Sequence, residues 1–185
     1  NYTSTKMKHK LLIAAVLIGL AIMSFVNPDK SELKEGDIVF QISKSRQSPM
    51  IQAATMSVWS HCGVVVEKKG ELYVLEASNV VKLTPLDKWI KQGRGGRYKV
   101  KRVLDKPMHI KYTKYIGKPY DLSFRFDNGK YYCSELVYDI YKTQYDIELC
   151  KPKRLKSYFI SPFKSTMKKR GMNLEQLVVA PDDLL

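Results

Sequence analysis

Two apolar runs joined by a lysine-rich turn constrain this chain more than any other feature. Ser60-His61-Cys62-Gly63-Val64-Val65-Val66 is followed by Lys68-Lys69-Gly70 and then by Leu72-Tyr73-Val74-Leu75-Glu76-Ala77. β-Branched and aromatic residues bounded by such a turn read as a β-hairpin. Val64 and Val66 fall on one face, Val65 and Val74 on the other, so the hairpin is expected to be buried on both faces. It nevertheless contains an imidazole and a carboxylate, and a buried carboxylate needs a partner. With Lys68 and Lys69 as a two-residue turn, Glu67 pairs with Gly70 and His61 with Glu76. Their Cβ atoms would then lie ~4.5–5.5 Å apart on one face. A three-residue turn would shift this pairing by one place.

A third polar residue belongs with these two. Cys133 opens Tyr131-Tyr132-Cys133-Ser134-Glu135-Leu136-Val137-Tyr138, where Leu136, Val137, Ile140 and Tyr141 fall at helical spacing on one face. A thiol in the first turn of a helix meets unpaired N–H groups and the positive end of the helix dipole, which favour the thiolate. The same N–H groups suit a developing oxyanion. Thiol, imidazole and carboxylate are the set that nucleophilic cysteine catalysis needs. The candidate catalytic residues are therefore Cys133 as nucleophile, His61 as base and Glu76 as the residue orienting it. Taken singly, each has a structural reading: a core cysteine, a buried histidine, and a glutamate paired to backbone or lysine. Their predicted juxtaposition favours the catalytic one. Ser134 lacks the Gly-x-Ser-x-Gly surround of a serine nucleophile. Tyr120, Tyr131 and Tyr132 are the candidate substrate-pocket residues.

The rest of the chain fits a single α+β domain with a small, largely antiparallel sheet and packed helices. Strands are expected at Ile38–Ile42, His61–Glu67, Leu72–Ala77, Val80–Leu83 and Tyr98–Val103. Helices are expected from Ser48-Pro49 to about Met56, with Ser48 as cap, and after Thr84-Pro85, with Thr84 as cap. Others are expected over Pro107–Ile116, from Cys133, and from Ser161-Pro162 to Arg170. Gly117-Lys118-Pro119-Tyr120-Asp121 breaks the chain before an aromatic, polar loop.

Leu11 to Val26 carries no charge and follows the basic start Met7-Lys8-His9-Lys10. Residues 1–30 read as a signal peptide or an N-terminal membrane anchor, with 1–6, ahead of Met7, read as an expression remnant or the product of an upstream start, and residues 31–185 as the catalytic domain. The protein is accordingly expected to be exported: periplasmic, secreted, or anchored to the outer face of the inner membrane. The formal charge is +14, of which +11 remains once residues 1–30, with four lysines and one aspartate, are set aside. Basic residues cluster near the C-terminus without a nucleic-acid motif, so an anionic envelope surface is the expected neighbour and nucleic acid is not. Three cysteines, Cys62, Cys133 and Cys150, do not make a disulfide framework. Cys62 reads as a small buried apolar residue. A zinc site is not expected, because His61 and Cys62 point to opposite faces of a strand and no Cys-x-x-Cys pair exists. No cofactor is expected, and the protein reads as a monomer.

Taken in order, Gly36-Asp37-Ile38-Val39-Phe40-Gln41-Ile42-Ser43, Ser60-His61-Cys62-Gly63, Leu75-Glu76-Ala77, Gly117-Lys118-Pro119-Tyr120-Asp121 and Tyr132-Cys133-Ser134-Glu135 resemble the YiiX-like permuted papain-fold proteins. These are relatives of the NlpC-type cell-wall cysteine peptidases, and the resemblance spans roughly Gly36 to Pro181. It implies a circularly permuted papain core in which histidine and acid precede the nucleophile. By motif match it assigns Cys133 as nucleophile, His61 as base and Glu76 as the orienting residue. Cys62, directly after the histidine, departs from the pattern. The expected function is a cysteine hydrolase, amidase or peptidase, of the cell envelope acting on a peptide or amide. The alternatives are a lipid acyltransferase or thioesterase with the same triad, or a degenerate binding protein. An acyltransferase should present an apolar groove beside Cys133. The neighbouring Tyr131, Tyr132, Asp127, Asn128 and Lys130 suit a polar peptide instead.

Overall fold

Alternation along each strand sends apolar side chains to two faces, and two helices cover them. The computed structural model describes residues 27–185. Its main sheet has five antiparallel strands: β1 (Ile38–Gln41), β2 (His61–Lys68), β3 (Glu71–Ala77), β4 (Val81–Pro85) and β5 (Tyr98–Lys101), ordered β4-β3-β2-β1-β5. Helix α1 (Ser48–Thr55) lies between β1 and β2, α2 (Leu86–Gln92) follows β4, α3 (Cys133–Tyr145) is the longest, and α4 (Lys164–Lys169) lies near the C-terminus. A short pair, β6 (Lys153–Arg154) and β7 (Leu177–Val178), forms a second, two-stranded sheet.

Ile38, Phe40, Cys62, Val64, Val66 and Leu75 point to one face and pack against Leu136, Val137, Ile140 and Tyr141 of α3. Val39, Val65 and Val74 point to the other, against Leu86 and Trp89 of α2 and Tyr98 of β5. Each such fully buried apolar side chain contributes roughly 1.5–3 kcal/mol, so the sheet is held from both sides and its centre strand β2 is the most constrained element.

The hairpin register differs from expectation by two residues. Val64 pairs with Leu75, Val65 with Val74 and Lys68 with Glu71. The turn residues are Lys69 and Gly70, at φ 55° and 78°. A two-residue hairpin turn with both central residues at positive φ matches the strand twist, so the glycine occupies the loop rather than the ladder. Continued upward, this register sets Gly63 opposite Glu76 and His61 opposite Ser78. Because side chains alternate with period two, a two-residue shift leaves His61 and Glu76 on the same face, now as diagonal neighbours.

Several helix starts also differ. Gln47, not Ser48, occupies the cap position of α1; Ser48 is buried and bonds Ser60, Oγ to Oγ, at 2.6 Å. Thr84 belongs to β4 and Pro85 precedes α2. Residues 107–116 form no helix. Their N–H groups are satisfied by side chains instead: His109 N by Tyr145 Oη at 3.0 Å, Ile110 N by Glu35 Oε1 at 2.8 Å and Lys111 N by Gln144 Oε1 at 2.9 Å. A short 3₁₀ turn, Ser161–Phe163, precedes α4.

The Gly36-Asp37 motif fixes where the sheet begins. Asp37 is buried and takes the Arg102 guanidinium at 2.8 and 2.7 Å and the Lys34 N–H at 2.8 Å. Gly36, at φ 95°, sits against Met108, where an added Cβ would come within 2.4 Å of the sulfur. The expected signal segment lies outside the described residues except for its end. Asn27 bonds the Gly96 carbonyl at 2.9 Å and accepts from Tyr98 N at 3.1 Å, and Lys30 pairs with Asp87 at 2.5 Å. The packed domain thus takes in residues 27–30, which the sequence reading set apart. Among the described residues no helix is long and apolar enough to cross a membrane.

Candidate active site

Each member of the site is placed by a separate element. His61 is the first residue of β2, held by Ser60, whose N–H bonds the Gln41 carbonyl at 3.2 Å and whose hydroxyl accepts from Ser43 N at 3.0 Å. Glu76 projects from β3 beside Gly63. A Cβ at position 63 would come within 2.5 Å of Val74 and 2.7 Å of the Leu75 carbonyl oxygen, so only glycine permits this close approach. Cys133 is the first helical residue of α3. The Glu135 carboxyl accepts from the N–H of Tyr132 at 3.3 Å, closing the first turn.

The structure brings the thiol, the imidazole and the carboxylate together. His61 Nε2 lies 2.6 Å from Glu76 Oε2. Nε2 is thereby occupied, and Nδ1 is the ring nitrogen left for Cys133, with which the imidazole hydrogen-bonds. The other carboxylate oxygen, Glu76 Oε1, accepts from Thr84 Oγ1 at 2.6 Å. Trp89 packs behind the imidazole with ring centroids 6.2 Å apart. Glu76 and Cys133 are 2% and 3% exposed.

These contacts set the charges. Burial alone would lower the His61 pKa, but the hydrogen bonds to Cys133 and Glu76 outweigh it and raise it to about 10. The Cys133 thiol is held well below its ordinary value, first by a hydrogen bond from the Cys62 thiol and, against burial, by the His61 partner. The Glu76 carboxyl is lowered: burial opposes ionisation, while His61, Thr84 and the Lys82 charge favour it. These shifts all favour a thiolate–imidazolium pair leaning on an ionised carboxylate.

Cys62 and Thr84 are polar partners that the sequence reading did not assign. Cys62 is not merely an apolar filler. It sits on the α3 face of β2, and its thiol donates toward Cys133; burial first, and then this bond, raise its own pKa well above normal. Thr84, expected as a helix cap, spends its hydroxyl on Glu76. An alternation argument on β4, which puts Thr84 on the Val74 face, would have found it.

The three candidate pocket tyrosines separate. Tyr120 lines both the apolar cleft that includes Cys133 and the polar cleft that includes His61 and Glu76, and its hydroxyl accepts from Gln47 Nε2 at 2.9 Å. It is carried there by Gly117-Lys118-Pro119-Tyr120-Asp121, where Gly117 adopts φ 81° and Val81 N bonds the Lys118 carbonyl at 2.8 Å. Tyr132 is buried beside Cys133, and its hydroxyl accepts from Val179 N at 3.1 Å. Tyr131 turns away: it stacks edge-on against Tyr115 at 5.4 Å and lines a different hollow with Glu135 and Asp139. Neighbouring residues in extended chain point oppositely, so Tyr131 and Tyr132 could not both face the thiol. Asp127 and Lys130 line that same hollow, not the Cys133 cleft. Among the described residues, no three His, Cys, Asp or Glu side chains gather as a metal-holding group.

A sheet that delivers histidine and acid before a helix that delivers cysteine is a permuted papain-like arrangement. The chain belongs to the permuted papain-like amidase family, YaeF/YiiX, C92, which it matches over residues 32–185. It is 36% identical over 187 residues to the uncharacterized protein YiiX of Escherichia coli strain K12, covering 95% of this chain and 90% of that one. A crystal structure described as the metalloprotein YiiX from Escherichia coli O157:H7 superposes with a TM-score of 0.75 at 37% identity, over 82% of this chain and 91% of that chain. Family membership makes the protein a cysteine hydrolase of the amidase class.

Proposed function

We propose that the protein cleaves an amide bond through a Cys133–His61–Glu76 triad. The observation that carries this reading is the division of the imidazole: Nε2 is bound by Glu76 at 2.6 Å, and the other nitrogen serves Cys133. Cys133 Sγ attacks the carbonyl carbon, and the charge that develops on its oxygen meets the N–H of Cys133, which has no acceptor within the helix. The Tyr120 hydroxyl, already accepting from Gln47, has its own proton to donate to the same oxygen. As the tetrahedral adduct collapses, His61 gives its proton to the leaving amine. A thioester remains on Cys133. Water, losing a proton to His61, then attacks it and releases the acid. Glu76 keeps the ring oriented and stabilises the imidazolium at each stage. A metal, as the description of the O157:H7 protein mentions, has no three-ligand group to hold it among the described residues.

We further propose export to the cell envelope, supported by the uncharged Leu11–Val26 segment after a basic start, and an envelope-derived amide as substrate. The basic C-terminal region is partly neutralised by its own acids: Lys153 pairs with Asp183 at 2.5 Å, and Arg154 and Lys156 share Glu175 at 2.5 and 2.7 Å. Incubating the protein with amide substrates tests the reading. Release of amine should vanish in Cys133→Ala and His61→Ala. Turnover that survives Cys133→Ala would overturn it.

A further inference from the structure

Two thiols meet at the reacting centre, and the hydrolase chemistry consumes only one of them. Cys62 follows His61 on β2 and Cys133 opens α3, so a strand and the helix packed on it each present a sulfur at the same place. β2 pairs with β3 only from Val64 onward. Cys62 therefore lies beyond that ladder, and both its thiol and its N–H are directed at the Cys133 sulfur. It is fully buried in one cluster with Phe40, Leu136 and Val137, which leaves Cys133 as the sulfur it can reach. Cys133 is itself buried but lines an open cleft that a small solute can enter. The third cysteine, Cys150, is half-buried with Asp183, Lys153 and Glu148 around it, and burial first, then Asp183, push its thiol up to about 11. All three are free thiols.

Resting on the cysteine-hydrolase reading only for the reactivity of Cys133, we propose that Cys62 and Cys133 form a redox pair: a peroxide oxidises Cys133, and Cys62 resolves it into a reversible disulfide. The Cys133 thiolate attacks one peroxide oxygen. An S–O bond forms, the O–O bond breaks, and the departing hydroxide leaves as water with the proton of the His61 imidazolium. Cys133 is then a sulfenic acid. The Cys62 sulfur attacks it; the S–S bond forms, the S–O bond breaks, and the leaving hydroxide takes the Cys62 proton and departs as a second water. Two thiols and one peroxide thus give one disulfide and two waters, with two electrons passing from the sulfurs to the O–O bond. The thiol–thiol hydrogen bond already sets the two sulfurs side by side, the approach from which a disulfide closes to ~2.05 Å. A sulfenic acid without a neighbouring thiol goes on to sulfinic and sulfonic acids, which thiols do not reverse. Cys62 diverts the nucleophile from that end. While the disulfide stands, Cys133 has no free sulfur to attack a carbonyl, so the hydrolase is off, and a dithiol restores both thiols by exchange.

The test is a hydrogen peroxide titration of the reduced full chain. The treated protein is denatured, its free thiols are capped with iodoacetamide, and its tryptic peptides are analysed by mass. The reduced protein should carry three capped cysteines and the oxidised protein one, at Cys150. Two peptides joined through Cys62 and Cys133 should appear, and amide turnover should fall in step with them. Dithiothreitol should restore both thiols and the turnover. In Cys62→Ser and Cys62→Ala, each checked for folding by thermal melting, no joined peptides should form. Cys133 should instead advance to the sulfinic acid, and dithiothreitol should not recover turnover. Three outcomes overturn the redox pair even where amine release depends on Cys133: sulfinic acid forming equally fast in wild type and both variants, joined peptides that include Cys150, or three thiols still capped after peroxide. Peptides joined through Cys62 and Cys133, in a protein whose amine release survives Cys133→Ala, support the redox pair and overturn the hydrolase reading instead.

Discussion

Replacing Glu76 with glutamine separates charge from shape. The carboxylate is 2% exposed and makes two bonds of 2.6 Å, from His61 and Thr84. An amide of the same size can still accept from His61 through its oxygen, and Thr84 can turn to accept from the amide nitrogen. What is lost is the charge. A hydrogen bond to a charged group is worth about 1.5–3 kcal/mol and a neutral one about 0.5–1.5 kcal/mol, so the imidazolium loses about 1.5 kcal/mol. That is about one pKa unit and a tenfold change in the population of the ion pair. Alkylation of Cys133 by iodoacetamide, followed against pH, should show its acid limb move up by about one unit in Glu76→Gln. Turnover should fall between about tenfold, from charge alone, and about 10⁴-fold, if the wrong ring tautomer is also selected. The stability consequence has a fixed sign. The Glu76 pKa is lowered in the fold, so its charge stabilises the protein above its unfolded value of about 4.3, and that contribution disappears as pH falls through the lowered folded value. Melting temperatures of wild type and variant should therefore differ at neutral pH and converge in acid. An alkylation profile and a turnover both unchanged from wild type would refute the orienting role.

Other substitutions probe the surroundings. Cys62→Ala removes the thiol donor to Cys133 and should raise the pH at which Cys133 becomes reactive, while Cys62→Ser, which keeps a donor, should restore it; identical profiles for all three proteins would exclude a tuning role. Thr84→Val leaves the buried Glu76 Oε1 without its partner and should lower stability by about 1–3 kcal/mol by denaturant titration; no loss would mean water replaces the hydroxyl. Glu135 is raised to about 8, first by burial and then by the nearby acids Asp121, Asp139 and Asp127. Its preference for the proton stabilises the fold fully below the unfolded value of about 4.3 and is lost as pH rises to about 8. Glu135→Gln, which does not titrate, should therefore match the wild-type pH dependence in acid and become progressively the more stable protein between about pH 4.3 and 8, with no further gain above, in thermal melts across that range.

The sheet and its site were legible in the sequence to different depths. Alternating apolar residues on both faces of Val64–Val66 and Val74–Leu75 announce a strand pair buried on both sides, and helical spacing after Cys133 announces the helix that covers one of them. The pairing of His61 with Glu76 was legible as a shared face but not as a register, because Lys68, Lys69 and Gly70 allow two different two-residue turns and only backbone twist chooses between them. A helix over residues 107–116 is only weakly signalled in the sequence, and Glu35, Gln144 and Tyr145 supply acceptors that the backbone would otherwise have to find in its own carbonyls. Those residues are distant in sequence, so local reading could not weigh them. The apolar cleft at Cys133 was hidden for the same reason: Met50, Phe124, Met167 and Val179 converge on Cys133 only through the tertiary fold.

Mass spectrometry of the acid-quenched protein during turnover of an amide substrate tests the central claim most directly. The expected result is an acyl adduct on the peptide containing Cys133, accumulating in wild type and missing from Cys133→Ala and from His61→Ala. Substrate consumed with the adduct on another residue, or consumed equally by Cys133→Ala, would contradict it.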